Sequence, residues 1–366
     1  MPKSIVKARN LKKEFIIVQS FIDKIQRKPP LKVRAVDGID FDIYDKKSMA
    51  LVGESGCGKT TVGKLIMKLI DTTSGKLEVK GHNITKLDDP RKLKAYRRTA
   101  QMIYQDPFSS LDPRFKVFDI LEEPLLIHGI GSSMKERRKM IDKALEEVRL
   151  TPPEEFIDRY PHMLSGGQRQ RIAIARCLIL NPDFIVADEP VSMLDVSVRA
   201  EVLNLMKDLI DKIDLTYLYI THDISTTRFF TDHIGVMYLG DIVEQGPTGQ
   251  VLDNPLHPYT QALLTAVPEP EPDRLDRIKE IPIKGEIPSG TNVPGGCRFH
   301  TRCPYAKVIC KKKVPKNKQP GKQGHLAKCH FAGEIEFKVK VKKLADDGKV
   351  AGEEIIKFSK ITESEE

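Results

Sequence analysis

Two short segments carry residue types able to hold and split a phosphate chain. Gly53-Glu54-Ser55-Gly56-Cys57-Gly58-Lys59-Thr60-Thr61 fits the pattern G-x-x-x-x-G-K-[ST] at every fixed position. The glycines let backbone N–H groups curl around phosphate oxygens, and a helix that follows turns its positive end toward them. Lys59 is expected to reach the β- and γ-phosphates, and Thr60 to ligate Mg²⁺. Phe184–Glu189 is an apolar run ending in two acids, which are costly to bury unless a cation or proton donor meets them. Asp188 is the expected Mg²⁺ partner. Glu189, one residue on, is the expected general base for the attacking water. His222 follows another apolar run, Tyr217–Ile220, from where an imidazole can approach the terminal phosphate; a lone histidine there is more often structural.

A second chemical cluster lies near the C-terminus. Of six cysteines, Cys57 sits in the phosphate loop as a small filler and Cys177 on an apolar helix as core. Cys297, Cys303, Cys310 and Cys329 follow one another with gaps of 5, 6 and 18 residues. A local cluster in a chain without a signal-peptide apolar core suggests a metal site rather than a disulfide framework. The short Cys-x2–4-Cys hooks of structural zinc sites are missing. Four thiolates can equally hold a [4Fe–4S] cluster, whose ligand spacing is more permissive. Zn²⁺ and unligated thiols stay open on the residues alone. His300, His325 and His330 are alternative ligands that read more simply as surface residues.

These groups need elements to position them. Residues 1–54 alternate short apolar runs with charged turns, as an antiparallel β-subdomain would, leading into a strand over 48–52. Apolar periodicity predicts a helix from about 60 to 69 and a strand over 77–84. Between about 110 and 165 the spacing of Val117, Ile120, Leu121, Leu125 and of Met140, Ile141, Leu145, Val148 is helical, which predicts an inserted helical subdomain. A βαβ pattern returns with helix 167–180, strand 184–188, helix 197–213 and strand 216–221. Strands alternating with helices imply a largely parallel sheet covered on both faces. Residues 268–296 are rich in Pro and Gly, and 335–341 alternate strictly enough for one exposed strand, in a charged tail.

Composition sets the class. Of the 366 residues 40% are hydrophobic and 30% charged, as in a globular, soluble protein of two or three domains. No stretch approaches 18 uncharged apolar residues, so any membrane-spanning part is expected on other chains. The net charge is +9, and residues 311–328 contribute seven lysines and no acid. That stretch is most simply a solvated loop, with anionic headgroups as the alternative contact.

Taken together, the motifs resemble the ATP-binding-cassette (ABC) ATPases, and within them the oligopeptide/dipeptide importer branch. The resemblance rests on the phosphate loop, on Leu164-Ser165-Gly166-Gly167-Gln168, on Asp188-Glu189 and on His222. Two further segments mark the branch: Gln105-Asp106-Pro107-Phe108-Ser109-Ser110-Leu111-Asp112-Pro113-Arg114 and Asn254-Pro255-Leu256-His257-Pro258-Tyr259-Thr260-Gln261-Ala262-Leu263-Leu264. It implies an α/β P-loop NTPase fold over 1–265: a RecA-like core, the antiparallel β-subdomain, and the inserted helical subdomain at about 110–165. A linker (266–296), a small Cys-rich C-terminal domain (297–331) and a charged tail (332–366) would follow.

The same resemblance implies site roles. Lys59, Gln105, Glu189 and His222 would be catalytic. ATP would be bound by Phe15 (stacked on adenine), Gly53, Ser55, Gly56, Cys57, Gly58, Lys59, Thr60, Thr61, Gln105 and Asp188. The partner chain's counterparts of Ser165, Gly166, Gly167, Gln168 and Asp195 would cover it. Met193 stands where this family usually has Ala, and Phe15 reads equally well as β-core. Thr60, Gln105 and Asp188 would hold Mg²⁺. Cys297, Cys303, Cys310 and Cys329 would hold a [4Fe–4S] cluster, with Zn²⁺ as the alternative. The implied partners are a second ABC ATPase subunit in a heterodimer, two transmembrane permease subunits and, indirectly, an extracytoplasmic substrate-binding protein, at the cytoplasmic face of the membrane. The implied cargo is peptides or oligosaccharides. A soluble ABC ATPase of DNA repair or translation is the competing class. Segments 105–114 and 254–264 argue against it, so no nucleic acid is expected.

Overall fold

The computed structural model describes residues 3–17, 30–213, 215–267, 277–280, 283–321, 323–344 and 350–357. Residues 18–29 of the expected β-subdomain and parts of the expected linker and tail lie outside them.

The chain opens with two long antiparallel strands, β1 (Ser4–Ile16) and β2 (Lys32–Tyr44), followed by β3 (Ser48–Val52), α1 (Lys59–Ile66), β4 (Ser74–Val79) and the short β5 (His82–Asn83). Strands β2-β1-β4-β5 form an antiparallel sheet. After α2 (Pro90–Thr99) and β6 (Ala100–Ile103) come the helices of the insert: α3 (Pro107–Ser110), α4 (Val117–His128), α5 (Met134–Glu147) and α6 (Glu154–Ile157). Val117, Ile120, Leu121 and Leu125 of α4 are all buried, so the helical spacing seen in sequence is a packed stripe. Ser133 caps α5 by accepting the Glu136 N–H at 3.2 Å.

The chain continues as α7 (Gly166–Leu178), β7 (Phe184–Asp188), α8 (Val196–Ile213), β8 (Thr216–Thr221), α9 (Thr227–Phe230), β9 (His233–Tyr238), β10 (Asp241–Pro247), α10 (Thr248–Asp253) and α11 (Pro258–Thr265). The remaining elements are β11 (Arg277–Glu280), α12 (Val308–Lys312), β12 (Leu326–Ala327), β13 (Lys338–Leu344) and β14 (Val350–Lys357). A seven-stranded sheet in the order β12-β10-β9-β3-β8-β7-β6 forms the centre. From β9 to β6 its strands run parallel, and β10 and β12 add an antiparallel edge.

Every residue of β3, β7 and β8 is buried, as a sheet covered on both faces requires. The two faces enter different cores. Ala50, Val52, Ile185, Ala187, Tyr217 and Tyr219 pack with the inserted helices and α7 and α8. Their alternates Met49, Leu51, Phe184, Val186, Leu218 and Ile220 pack with the β-subdomain and α1. This is the period of two of a pleated strand, read on both faces.

The four-cysteine segment has little core of its own, as expected of so few residues. Phe299 belongs to the main core, with Cys297 and Cys303 packed against it, while Ala327, Cys329 and Ala332 form a small cluster with Leu256. Strand β12 stitches the segment to β10 through Ala327 opposite Glu244 and Leu326 opposite Gln245. Of the alternating stretch expected at 335–341 as one exposed strand, residues 338–341 fall in β13, where Val339 and Val341 are buried rather than exposed. Strand β13 pairs with β11 on one side and β14 on the other. The structure thus has strands β11 and β14 where the sequence signalled only a Pro/Gly-rich connection and a charged tail.

Candidate active site

Strand register gathers the chemical residues. Val52 pairs with Thr221, Ile220 with Asp188, and Ala187 with Ile103. Gly53, Glu189, His222 and Gln105 therefore all follow the carboxyl ends of parallel strands along one edge of the sheet, where open α/β sheets bind ligands. There a cleft of about 410 Å³ is lined by Ser55, Gly56, Gly58, Lys59, Thr60 and Thr61. Gln105, Glu189 and His222 complete that wall, and Val33, Arg34, Ala35, Leu239, Gly240 and Gly290 form the other.

Gly58 shows why the loop needs glycine. Its φ is +109°, and a Cβ there would lie 2.1 Å from the Ala35 carbonyl oxygen. The Lys59 side chain is buried, with Nζ donating to Gly53 O at 2.7 Å and to Glu54 O at 3.1 Å. Gly53 and Cys57 do not line the cleft. Gly53 opens the loop, and the buried Cys57 accepts the Gly240 N–H on its carbonyl at 2.9 Å.

Thr60 Oγ1 donates to Asp188 Oδ1 at 2.9 Å across the sheet edge. Asp188 is almost fully buried. Burial pushes its carboxyl above the ordinary value, the neighbouring Glu189 charge adds to this, and the Thr60 hydrogen bond opposes it. A buried carboxylate beside a threonine hydroxyl is a pair of oxygen donors suited to a hard divalent cation. Glu189 has φ +45°, a left-handed conformation unusual outside glycine, held by its N–H on Ile220 O at 2.8 Å. Its Oε2 receives Gln105 Nε2 at 3.2 Å and lies 2.9 Å from His222 Nδ1.

Ser165, Gly166, Gly167 and Gln168 do not line this cleft. They start α7, where Gln168 N–H donates to Ser165 Oγ at 3.2 Å and Ser165 N–H to Gln168 Oε1 at 3.0 Å, a reciprocal cap. Gly167 lies against α8, because a Cβ there would sit 2.4 Å from Val198 Cγ1. Asp195 caps α8 from an exposed position, accepting Val198 N–H at 3.0 Å, which holds its carboxyl below the usual range. Phe15 is also outside the cleft wall, 40% exposed and beneath the Lys13 ammonium. It stands directly opposite Val33, however, so its ring projects from the same face of the ribbon as that lining residue.

The four clustered thiols are close enough to feel one another's charge. Burial pushes Cys297 and Cys303 up to about 12 and Cys329 to about 11. Against this, the nearby backbone N–H groups of Phe299, Tyr305 and Phe331 draw these thiols back down, and the Phe331 N–H donates to Cys329 Sγ at 3.4 Å. Among the described residues no three His, Cys, Asp or Glu side chains stand close enough to hold a metal ion. Of the neighbouring histidines, His325 is buried with Nε2 2.7 Å from Glu244 Oε1, while His300 and His330 contact backbone carbonyls.

The sequence reading missed the wall formed by Val33–Ala35, Leu239, Gly240 and Gly290. No spacing rule marks these residues. Val33–Ala35, Leu239 and Gly240 reach the cleft because β2 and the turn after β9 fold beside the phosphate loop, where Asp37 N–H donates to Gly240 O at 2.8 Å, and Gly290 joins them by accepting the Arg34 N–H at 3.2 Å.

Known proteins resemble this chain in sequence and fold. Residues 36–192 match the family described as ABC transporter, and residues 243–310 match the oligopeptide/dipeptide transporter C-terminal region. The chain is 45% identical over 329 residues to the oligopeptide transport ATP-binding protein AppF of Bacillus subtilis, spanning 90% of this chain and 98% of that protein. It is 46% identical over 336 residues to the dipeptide transport ATP-binding protein DppF of Escherichia coli, spanning 92% and 97%. Among solved structures, the ATP-binding cassette MJ0796, a dimer in a post-hydrolysis state with ADP and Pi, superposes with a TM-score of 0.58. It is 28% identical and covers 66% of this chain and 98% of its own.

Proposed function

Because this chain belongs to the ATP-binding subunits of oligopeptide/dipeptide ABC importers, we propose that the cleft hydrolyses ATP to drive uptake of peptides, or oligosaccharides, through separate permeases. The observation that carries this reading is the meeting of Lys59, Thr60, Gln105, Glu189 and His222 at one sheet edge, with Asp188 beneath.

In this reading Lys59 and the loop N–H groups hold the β- and γ-phosphates. Thr60, Asp188 and Gln105 are the groups to hold Mg²⁺, which when bound offsets phosphate charge. Glu189 takes a proton from water as the water oxygen attacks the γ-phosphorus in line. The bond to the β-phosphate oxygen breaks, and ADP and phosphate leave. Gln105 and His222 orient the Glu189 carboxylate and the water. Phe15 stacks on adenine from the Val33 face.

The exposed start of α7 and Asp195 cover the nucleotide of a partner chain. Helix α7 is long enough for its N-terminus to favour a phosphate. We assign that partner as a second, related ATPase, with two permease subunits contacting the inserted helical subdomain and a substrate-binding protein on the far side. The location is the cytoplasmic membrane face, peripherally. Among the described residues no helix is long and apolar enough to cross a membrane. The division into 1–265, 266–296, 297–331 and 332–366 belongs to the same reading.

For the cysteines we retain the [4Fe–4S] assignment, with Cys297, Cys303, Cys310 and Cys329 as ligands. Its support is the set of four sulfur donors in one segment, with the Phe331 N–H already donating to Cys329 Sγ at 3.4 Å. Zn²⁺ held by the same four thiols is the alternative. A bound cluster would staple the loops and could exchange an electron.

The tests are direct. ATPase activity and dipeptide uptake by vesicles holding the assembled transporter should both vanish in Lys59→Ala; uptake surviving without hydrolysis would refute the reading. Protein purified without oxygen should show a broad band near ~400 nm and about four irons per chain. About one zinc without colour would replace the cluster.

A further inference from the structure

The loop Cys297-Arg298-Phe299-His300-Thr301-Arg302-Cys303 reaches the phosphate-binding loop through Arg302, while Arg298 holds the neighbouring residues Asp37 and Leu239. Arg302, 6% exposed, pairs both ends of its guanidinium with Glu54, Nη1 to Oε2 at 2.7 Å and Nη2 to Oε1 at 2.9 Å. Glu54 is the second residue of the phosphate loop, and its N–H donates to Tyr259 Oη at 2.9 Å. Arg298 donates to Asp37 Oδ2 at 2.8 Å and to the Leu239 carbonyl, beside the Gly240 that bonds Cys57. Phe299, between the two arginines, is buried against the rings of Tyr238, Tyr259 and His257. Upstream, Gly290 accepts the Arg34 N–H at 3.2 Å and lines the cleft.

A carboxylate inside a loop that receives a polyphosphate is electrostatically misplaced. Left free, it repels the ligand and competes for the N–H groups that cradle it. A bidentate guanidinium cancels the charge and holds the carboxylate in one orientation. The backbone of Glu54 is fixed at the same time by Tyr259.

We propose that Arg302 is a positioning residue of the nucleotide site: delivered by the four-cysteine segment, it neutralises Glu54 and holds the phosphate-binding loop in its receptive shape. The inference rests on the reading of residues 53–61 as the ATP loop and extends it to a segment far along the chain. Because coupling between two sites is reciprocal, nucleotide that tightens the loop also orders residues 297–303.

The test uses the full chain, ATP hydrolysis kinetics and backbone hydrogen exchange with and without MgADP. Arg302→Gln should raise KM for ATP about tenfold while changing kcat by less than about threefold. Glu54→Gln removes the misplaced charge, so the double variant should resemble Glu54→Gln alone. MgADP should slow exchange at 297–303 in the wild type and not in Arg302→Gln. Additive effects on KM, a wild-type KM in Arg302→Gln, or no effect of MgADP at 297–303 would overturn the proposal. Should Arg302→Gln fail to fold, Arg302→Lys decides, since it keeps the charge without the paired bonds: an intermediate KM supports the proposal, and an unchanged KM overturns it. Lys59→Ala separates the two levels. Wild-type ATP affinity there would remove the loop reading and this inference with it, whereas lost affinity beside an additive Arg302 cycle would remove this inference alone.

Discussion

His222 Nδ1 lies 2.9 Å from Glu189 Oε2, a contact between the ends of two neighbouring parallel strands. The same oxygen receives Gln105 from the end of a third strand. One carboxylate oxygen is thus aimed from two directions, as a base that must meet water at a fixed point requires.

Replacing Glu189 by Gln should leave MgATP binding within about threefold of wild type and slow hydrolysis by roughly 10²–10⁴-fold. Single-turnover kinetics beside a nucleotide-binding titration measure both. Full turnover would remove Glu189 as the base.

His222→Ala should cost less than Glu189→Gln, roughly 10- to 100-fold in kcat, because it frees the carboxylate rather than removing it. Groups acting on one oxygen are not additive, so His222→Ala should add little in the Glu189→Gln background. Independent losses in the double variant would argue that the two residues act separately.

The Thr60–Asp188 pair predicts a magnesium phenotype. Asp188→Asn removes the buried charge and should raise the Mg²⁺ concentration for half-maximal activity by about tenfold or more. Titrating Mg²⁺ at saturating ATP checks this, and an unshifted midpoint would place the ion elsewhere.

His257 predicts an acid-sensitive fold. It is fully buried, and burial lowers its imidazole from 6.5 to about 3 while Nδ1 accepts the Tyr259 N–H that starts α11. Between these values the unfolded chain binds the proton and the folded chain does not. Stability contributed by the neutral ring is therefore complete above about pH 6.5 and falls as pH drops toward 3, by up to about 1.4 kcal/mol per pH unit. His257→Asn should flatten that slope in thermal unfolding measured from pH 7 to pH 4.

Gly167→Ala should destabilise the chain by about 1–3 kcal/mol through overpacking against Val198. The added Val198→Ala change should restore much of the loss. Thermal midpoints of the single and double variants decide this.

Much of the site could be read from the chain without coordinates. The phosphate loop, Asp188-Glu189 and His222 each follow an apolar run, and such runs become strands buried on both faces. The register of those strands then leaves little freedom in where the next residue points. The helical insert was legible for a similar reason, since Val117, Ile120, Leu121 and Leu125 can share one buried stripe only on a helix. Less legible were β11 and β14, whose partners in the three-stranded sheet lie far apart along the chain.

By itself, then, the sequence determined the local chemistry: which residues can hold phosphate, which acids end a strand, where glycine must stand, and which four thiols could act together. Those properties depend on residue type and near-neighbour spacing, which a linear chain displays. Only the tertiary structure decided that Arg302 neutralises Glu54, 248 residues away along the chain, that Gly290 walls the cleft, and that the cysteine segment packs onto the main core. Such pairings come from the closing of long loops onto a common surface, where burial rather than sequence separation selects partners, and no periodicity along the chain records which ones will meet.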